Sequence, residues 1–121
     1  MKSHWMMHQG KRVFITDLSN HAASASAVHE ECEAIKAVLL GEQPKSVRAI
    51  VNVEGTFVNE EILGEFRKIL PITNNYVKRR AIIGLGGFRK NFVFLFTKLT
   101  GNVNFLPFDN LEDALDWIIQ D

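Results

Sequence analysis

The feature that most constrains the fold is a regular alternation of short apolar runs with longer amphipathic stretches. The short runs are rich in β-branched and aromatic residues and end at glycine or polar turns, as strands do. The longer stretches repeat their apolar residues at helical spacing. This pattern predicts strands over 11–18, 47–53, 80–85 and 103–108, and helices over 25–39, 60–70, 88–99 and 111–118.

Because each strand is followed by a helix, successive strands need crossover connections, which produce a mainly parallel sheet with helices packed against it. The predicted fold class is therefore α/β, built from four βα units. Residues 5–8 precede Gly10 and could add an antiparallel edge strand at the N-terminal side. A chain of 121 residues is long enough for one core, so we expect a single domain over 1–121.

Local residue choices predict where several elements begin and end. Asn59 is a plausible N-cap for the second helix, which should end near Pro71 because proline disfavours helical geometry in the residue before it. Asp109 and Glu112 resemble a capping box at the start of the last helix. Pro107 cannot donate a ladder hydrogen bond, so its strand should lie at an edge of the sheet.

Composition excludes several classes of function. Fourteen Lys and Arg balance fourteen Asp and Glu, so no overall charge favours nucleic acid or an acidic membrane. The longest apolar run, 92–96, is far too short to span a bilayer. A lone cysteine, Cys32, and an N-terminus without a signal-type apolar stretch favour a reducing, cytoplasmic setting.

Three segments carry a likeness to a known family: SVRAIVNVEGT at 46–56, NYVKRRAIIGLGG at 75–87, and VNFLPFDNLEDALDWI at 103–118. Together with the βα order they resemble the small bacterial STAS/SpoIIAA-like proteins, which are distantly similar to the lipid-binding CRAL-TRIO fold. The resemblance implies a SpoIIAA-like βα superhelix, as in anti-sigma-factor antagonists and the cytoplasmic domains of sulfate transporters. It also implies partner binding without catalysis, and lipid carriage in more distant relatives.

The phosphorylated serine of the signalling antagonists has no counterpart here. In that family it lies in an Asp-Ser-Ser-Gly-like motif at the start of the helix after the strand that matches 47–53. Here the corresponding residues read Val-Asn-Glu-Glu-Ile-Leu at 58–63, and Thr56 lies only in the preceding turn. The resemblance therefore comes without the usual phosphoserine switch.

The junction between the strand 80–85 and the helix 88–99 is a candidate site for a small anionic ligand. A glycine-rich turn before a helix exposes backbone N–H groups, and the basic residues that follow oppose the helix dipole, which hints at an anionic partner. The simpler explanations are that the glycines merely allow a tight turn and close helix packing, and that the basic residues form a solvated face paired with the acidic last helix. The candidate ligand-binding residues are Gly84, Gly86, Gly87, Arg89, Lys90 and Thr56.

The predicted helix 88–99 has more apolar residues than one buried stripe needs. Phe88, Phe92 and Phe96 are therefore candidate interface residues, with a homodimer contact as the first interpretation. A pocket for an apolar ligand and a shallow membrane contact are alternatives. Coverage by the N-terminal strand or by the last helix would also account for them.

The sequence contains no set of residues that indicates catalysis, a metal site or a cofactor. His4 and His8 lack further ligands at metal-binding spacing, and Cys32 lies on the apolar stripe of the first helix. Asp17 and Glu54 at neighbouring strand ends are the best acid–base pair, although solvation and capping explain carboxylates there as well. We expect a non-enzymatic protein.

Two hypotheses about function follow. The first is a non-catalytic regulatory or protein-interaction module that resembles STAS domains and binds a protein partner or a second copy of itself. The alternative is a carrier or sensor of a small anionic or lipid-like ligand at the junction described above.

Overall fold

The computed structural model describes residues 2–57, 59–86 and 105–120. Within these residues the chain forms five strands and three helices. The strands are β1 (His4–His8), β2 (Lys11–Asp17), β3 (Val47–Asn52), β4 (Val77–Ile83) and β5 (Phe105–Pro107). The helices are α1 (Ala25–Leu39), α2 (Glu60–Thr73) and α3 (Leu111–Ile118).

The strands form one sheet in the order β1-β2-β3-β4-β5. Strands β2 to β5 pair in parallel, and β1 pairs antiparallel with β2. The β1–β2 hairpin needs only two loop residues because Gln9 and Gly10 both have positive φ, 49° and 81°, as in the turn that best matches strand twist. The mainly parallel α/β sheet with an antiparallel N-terminal strand is thus confirmed.

Helices cover both faces of the sheet. The larger core lies between one face and the helices α1 and α2, which also pack against each other. The smaller core lies under α3 on the opposite face, where it includes Val13, Ile50 and Ala81. The central strands are buried on both sides, which explains why their sequences are almost continuously apolar.

Helix α2 runs two residues beyond Pro71, so the predicted end near that proline is wrong. Proline removes only its own N–H, and the last turn closes without it. The backbone N–H of Asn74 donates to the carbonyl of Leu70 at 2.9 Å. The hydroxyl of Thr73 donates to the carbonyl of Ile69 at 3.0 Å.

The last helix is capped one residue later than predicted. Asn110, not Asp109, has the extended backbone of an N-cap, and its Oδ1 accepts from the N–H of Asp113 at 2.8 Å. The reason lies in the preceding strand. Phe108 donates its N–H to the carbonyl of Ile82 at 2.8 Å, which holds the chain against the sheet until the helix starts.

The third predicted strand begins earlier than expected, at Val77 instead of Arg80. Its first residue pairs with Val47, followed by a register shift before Arg48. Basic residues are tolerated there because their long stems can cover apolar surface while their charged ends reach water. Of the strand predicted over 103–108, the described part pairs at 105–107, and Pro107 lies in β5, which pairs only with β4 among the described strands.

The predicted helix over 88–99 lies outside the described residues. No helix that the structure describes is long and apolar enough to cross a membrane.

Candidate functional site

Three loops follow the parallel strands β2, β3 and β4 at the same edge of the sheet. We call residues 18–22, 53–57 and 84–86 the carboxyl-edge loops. In open α/β sheets this edge is where ligands commonly bind. These loops also contain the described members of the predicted ligand-binding set.

The first two carboxyl-edge loops are joined by backbone hydrogen bonds. The N–H of Asn20 donates to the carbonyl of Glu54 at 2.8 Å. The N–H of Ala22 donates to the carbonyl of Gly55 at 3.2 Å, and the N–H of Phe57 donates to the carbonyl of Ala22 at 2.6 Å. Together these bonds extend the β2–β3 pairing beyond the ends of the strands and hold the two loops in one conformation.

Thr56 ties the same two loops together through its side chain. Its hydroxyl donates to the carbonyl of Leu18 and accepts from the N–H of His21 at 3.0 Å. The only hydroxyl proton is therefore already engaged inside the protein. In the structure, the hydroxyl of this predicted ligand-binding residue links two loops. Its binding of a ligand stays a prediction.

One residue in these loops carries backbone strain. Ala22 has φ +49°, in the left-handed region that non-glycine residues rarely adopt. Asn20, with φ +59°, tolerates this region better because of its short polar side chain. Strain of this kind persists only where surrounding bonds fix the conformation, as the paired loops do here.

The third carboxyl-edge loop meets the second at Gly84. This glycine has φ +88°, and a Cβ there would lie 2.8 Å from the Cα of Glu54. Only glycine allows that close approach. Gly86 also has positive φ, at 57°, but no atom lies within 4 Å of the position of a Cβ. The predicted role of these glycines in a tight turn agrees with this geometry, and their binding of an anion stays a prediction.

The other predicted site residues lie outside the described part of the chain. They are the ligand-binding candidates Gly87, Arg89 and Lys90 and the interface candidates Phe88, Phe92 and Phe96.

The carboxylates of Asp17 and Glu54 lie at the ends of the neighbouring strands β2 and β3, as predicted. Asp17 is held by Ser19, whose N–H donates to Oδ1 at 3.0 Å, and by Lys2, whose Nζ lies 3.6 Å away. Burial raises the pKa of Asp17, but the hydrogen bonds of Ser19 and the charge of Lys2 outweigh it and lower the pKa. A general base that works near neutral pH needs the opposite shift.

The surroundings of the other candidate residues, Cys32, His4 and His8, fit structural roles. Cys32 is buried in the larger core, and burial together with the charge of Glu65 raises its pKa to about 12. His4 and His8 occupy the two ends of β1, and His8 Nε2 lies 3.2 Å from a carboxylate oxygen of Asp116. Residues 2–57, 59–86 and 105–120 contain no group of three or more side chains suited to a metal ion.

Sequence reasoning did not single out Arg80 as a site residue. This buried arginine lies on the sheet side of the larger core. Arg80 in β4 is 5% exposed and points toward α1 and α2. Its Nη1 donates to Oδ1 of Asn74 at 2.7 Å, and its Nη2 donates to Oγ1 of Thr73 at 2.9 Å. The guanidinium carbon also lies 5.7 Å from the ring centre of Phe105.

Arg80 lines a cavity of about 30 Å³ between the sheet and the two helices. Apart from two threonines and the thiol of Cys32, the rest of the wall is apolar. The other lining residues are Thr16, Leu18, Cys32, Ile35, Leu39, Val51, Phe66, Ile69, Leu70, Thr73, Ile82 and Phe105. Burial lowers the pKa of the guanidinium to about 10.

No protein-family model matches the sequence, and no curated protein matches it. A solved structure does match. It is the crystal structure of an uncharacterized protein from the DUF3478 family with a SpoIIAA-like fold, from Shewanella loihica PV-4. It superposes with a TM-score of 0.76 over 96% of this chain and 91% of that chain, at 17% sequence identity.

The chain has a SpoIIAA-like fold. The similarity extends over almost the whole of both proteins. It confirms the resemblance that the βα order and the three segments predicted. At this level of identity the SpoIIAA-like neighbour establishes architecture, and function has to be argued from the residues of this chain.

Proposed function

We propose that this SpoIIAA-like chain is a non-catalytic protein-interaction module with a regulatory role, and that the carboxyl-edge loops form its contact surface. The fixed conformation of these loops carries the proposal. Backbone hydrogen bonds join the first two loops, and Ala22 is held in a strained conformation. The third loop approaches the second so closely that only glycine fits at Gly84.

A surface fixed in this way needs little ordering when it binds, which reduces the entropic cost of association. Phe57 adds an apolar contact, since it is 60% exposed at the end of the second loop, three residues before the first residue of α2. Large aromatic side chains of this type are enriched at the centres of protein interfaces. We infer that a protein partner packs on Phe57 and on the backbone around it.

A phosphorylation switch of the STAS kind is not part of the proposal. The start of α2 is capped by Asn59, whose Oδ1 accepts from the N–H of Ile62 at 2.9 Å. The hydroxyl of Thr56, the nearest along the chain before this cap, is committed to the link between the loops. We therefore expect regulation through the availability of the partner instead of through phosphorylation at this position.

Exposure-matched variants test the contact surface. Phe57→Ser removes the aromatic ring, and Met7→Ser is the matched control because Met7 is also 60% exposed but lies in β1. In affinity capture with cross-linking, we expect a protein that is retained by the parent and by Met7→Ser and lost by Phe57→Ser. Cross-links from that protein should map to residues 18–22 and 53–57.

Two results would count against the proposal. One is the same set of captured proteins with Phe57→Ser as with the parent, and the other is cross-links confined to other faces. Reproducible turnover of a substrate that is lost in Asp17→Asn or Glu54→Gln would replace the non-catalytic module with an enzyme.

Self-association through Phe88, Phe92 and Phe96 stays a prediction. Sedimentation of Phe92→Ser and Phe96→Ser against the parent tests it directly. A monomeric parent, or an unchanged mass in the variants, would contradict a homodimer formed there. Native mass spectrometry of gently purified protein tests the alternative function, a carried anionic or lipid-like ligand at Gly84, Gly86 and the basic residues that follow.

A further inference from the structure

We infer that the cavity beneath α1 and α2 is a binding site for a small monovalent anionic group, either a carboxylate or an inorganic ion, held by the guanidinium of Arg80. The inference is independent of the proposed contact surface, because the cavity lies inside the larger core and the carboxyl-edge loops lie at the end of the sheet.

The first observation is a buried positive charge without a buried negative one. Arg80 is 5% exposed, and no carboxylate among the described residues pairs with it. Its hydrogen-bond partners there are the neutral oxygens of Thr73 and Asn74. The segment 87–104 contains no aspartate or glutamate at all. Buried charges in proteins are normally paired, so this guanidinium calls for a counter-ion.

The second observation is the fit between the cavity and such an ion. A cavity of about 30 Å³ holds roughly two or three water-sized groups, since one such group needs about 10–15 Å³ on this measure. A carboxylate group or a chloride ion has this size.

The third observation is the orientation of the guanidinium. An arginine has five N–H groups in a planar fork. Asn74 and Thr73 accept from one N–H on each terminal nitrogen and so fix the plane of the group. This leaves further donors of a pre-oriented fork at the wall of the cavity, which is the geometry that binds a carboxylate through two parallel bonds.

The neighbouring arginine provides a matched control within the same strand. Arg79 points to the opposite face, where its Nη1 donates to the carbonyl of Trp117 at 3.3 Å and its guanidinium lies 5.1 Å from the ring of Trp117. Arg79→Met therefore removes a charge from the same strand without touching the cavity.

Thermal-shift titration tests the site with sodium formate, sodium chloride and neutral formamide, at constant ionic strength set by a large organic anion. We expect saturable stabilisation of the parent and of Arg79→Met by at least one of the two anions, and none by formamide. In Arg80→Met the apparent affinity should fall about tenfold or more. Saturation by formate alone assigns the site to an organic carboxylate, and equal saturation by chloride assigns it to an inorganic anion.

A second measurement does not depend on the folding of the variant. In the parent protein, the Nε–H resonance of Arg80 should shift on titration with the bound anion, while that of Arg79 stays in place. The inference is overturned if neither anion stabilises the parent in a saturable way. It is also overturned if Arg80→Met responds as strongly as the parent, or if the Arg80 resonance does not move.

Discussion

Replacement of Ala22 by glycine should stabilise the protein, although glycine usually destabilises. Ala22 has φ +49°, and the left-handed region costs a non-glycine residue roughly 1–2 kcal/mol. Glycine removes that cost but gains freedom in the unfolded chain, which returns about 0.4–1 kcal/mol. The net expectation is a gain of about 0.5–1 kcal/mol in the free energy of unfolding.

Ala37→Gly is the matched control. Ala37 is exposed like Ala22, but it lies within α1, where glycine costs about 0.8–1.0 kcal/mol. The two substitutions are chemically identical, so their difference reports backbone geometry alone. We expect the two variants to differ by about 1.5 kcal/mol or more, with opposite signs relative to the parent.

Urea unfolding followed by circular dichroism measures both variants. A change in midpoint at constant slope isolates the stability term. If Ala22→Gly loses as much stability as Ala37→Gly, the backbone at Ala22 is not strained. The account of the carboxyl-edge loops as a surface held by its hydrogen bonds would then be wrong.

Three further predictions concern stability and reactivity. Gly84→Ala should lower the free energy of unfolding in urea by more than about 2 kcal/mol, because the added Cβ meets the backbone of the second loop. Gly86→Ala adds no such contact and strains only the positive φ, so it should lower the free energy of unfolding by about 1 kcal/mol. Burial raises the pKa of Glu31, but hydrogen bonds from the segment before β1 outweigh it and lower the pKa below its ordinary value. Glu31→Gln should therefore lower the free energy of unfolding by about 1–3 kcal/mol at pH 7, and this deficit should shrink as the pH falls through the folded-state pKa. The exposed control Glu33→Gln should change the stability little. Equal deficits for Glu31→Gln at pH 3 and pH 7 would contradict this. With its pKa raised to about 12, Cys32 should react with a thiol reagent at pH 8 far more slowly in the native protein than in urea, and equal rates would refute its burial.

The order and type of the elements were predictable because the hydrophobic period differs between strands and helices. Five of the seven residues 47–53, in and just after β3, are apolar, and only a strand covered on both faces buries all five. The cap at Asn59 was also predictable, because any helix that starts there offers free backbone N–H groups that its side chain can accept from. These features depend on local sequence and on burial.

The boundaries that were wrong depend on contacts between distant residues. The end of α2 lies at Thr73 because a hydroxyl and a backbone N–H close its last turn, and this hydroxyl also accepts from Arg80 seven residues later. The start of α3 follows from the bond between Phe108 and Ile82 across the sheet. Local propensity contains no information about either partner.

The candidate anion site was hidden for the same kind of reason. In the sequence, Arg80 is one of three consecutive basic residues and reads as part of a solvated face. In a regular strand, Val77 and Arg79 would share one face, and Arg80 would take the other.

The register shift at the start of β4 breaks this alternation. Val77 pairs with Val47, and the next pair joins Arg48 to Arg79, so β4 has one extra residue at this point. The faces are exchanged beyond it: Val77 packs in the larger core, yet Arg79 reaches Trp117 on the opposite face. Beyond the bulge the alternation is regular, and Arg80, which pairs with Ala49, shares the larger-core face with Ile82. A basic residue beside two others suggests solvent exposure in the sequence, whereas the pairing of β4 with β3 turns Arg80 toward α1 and α2.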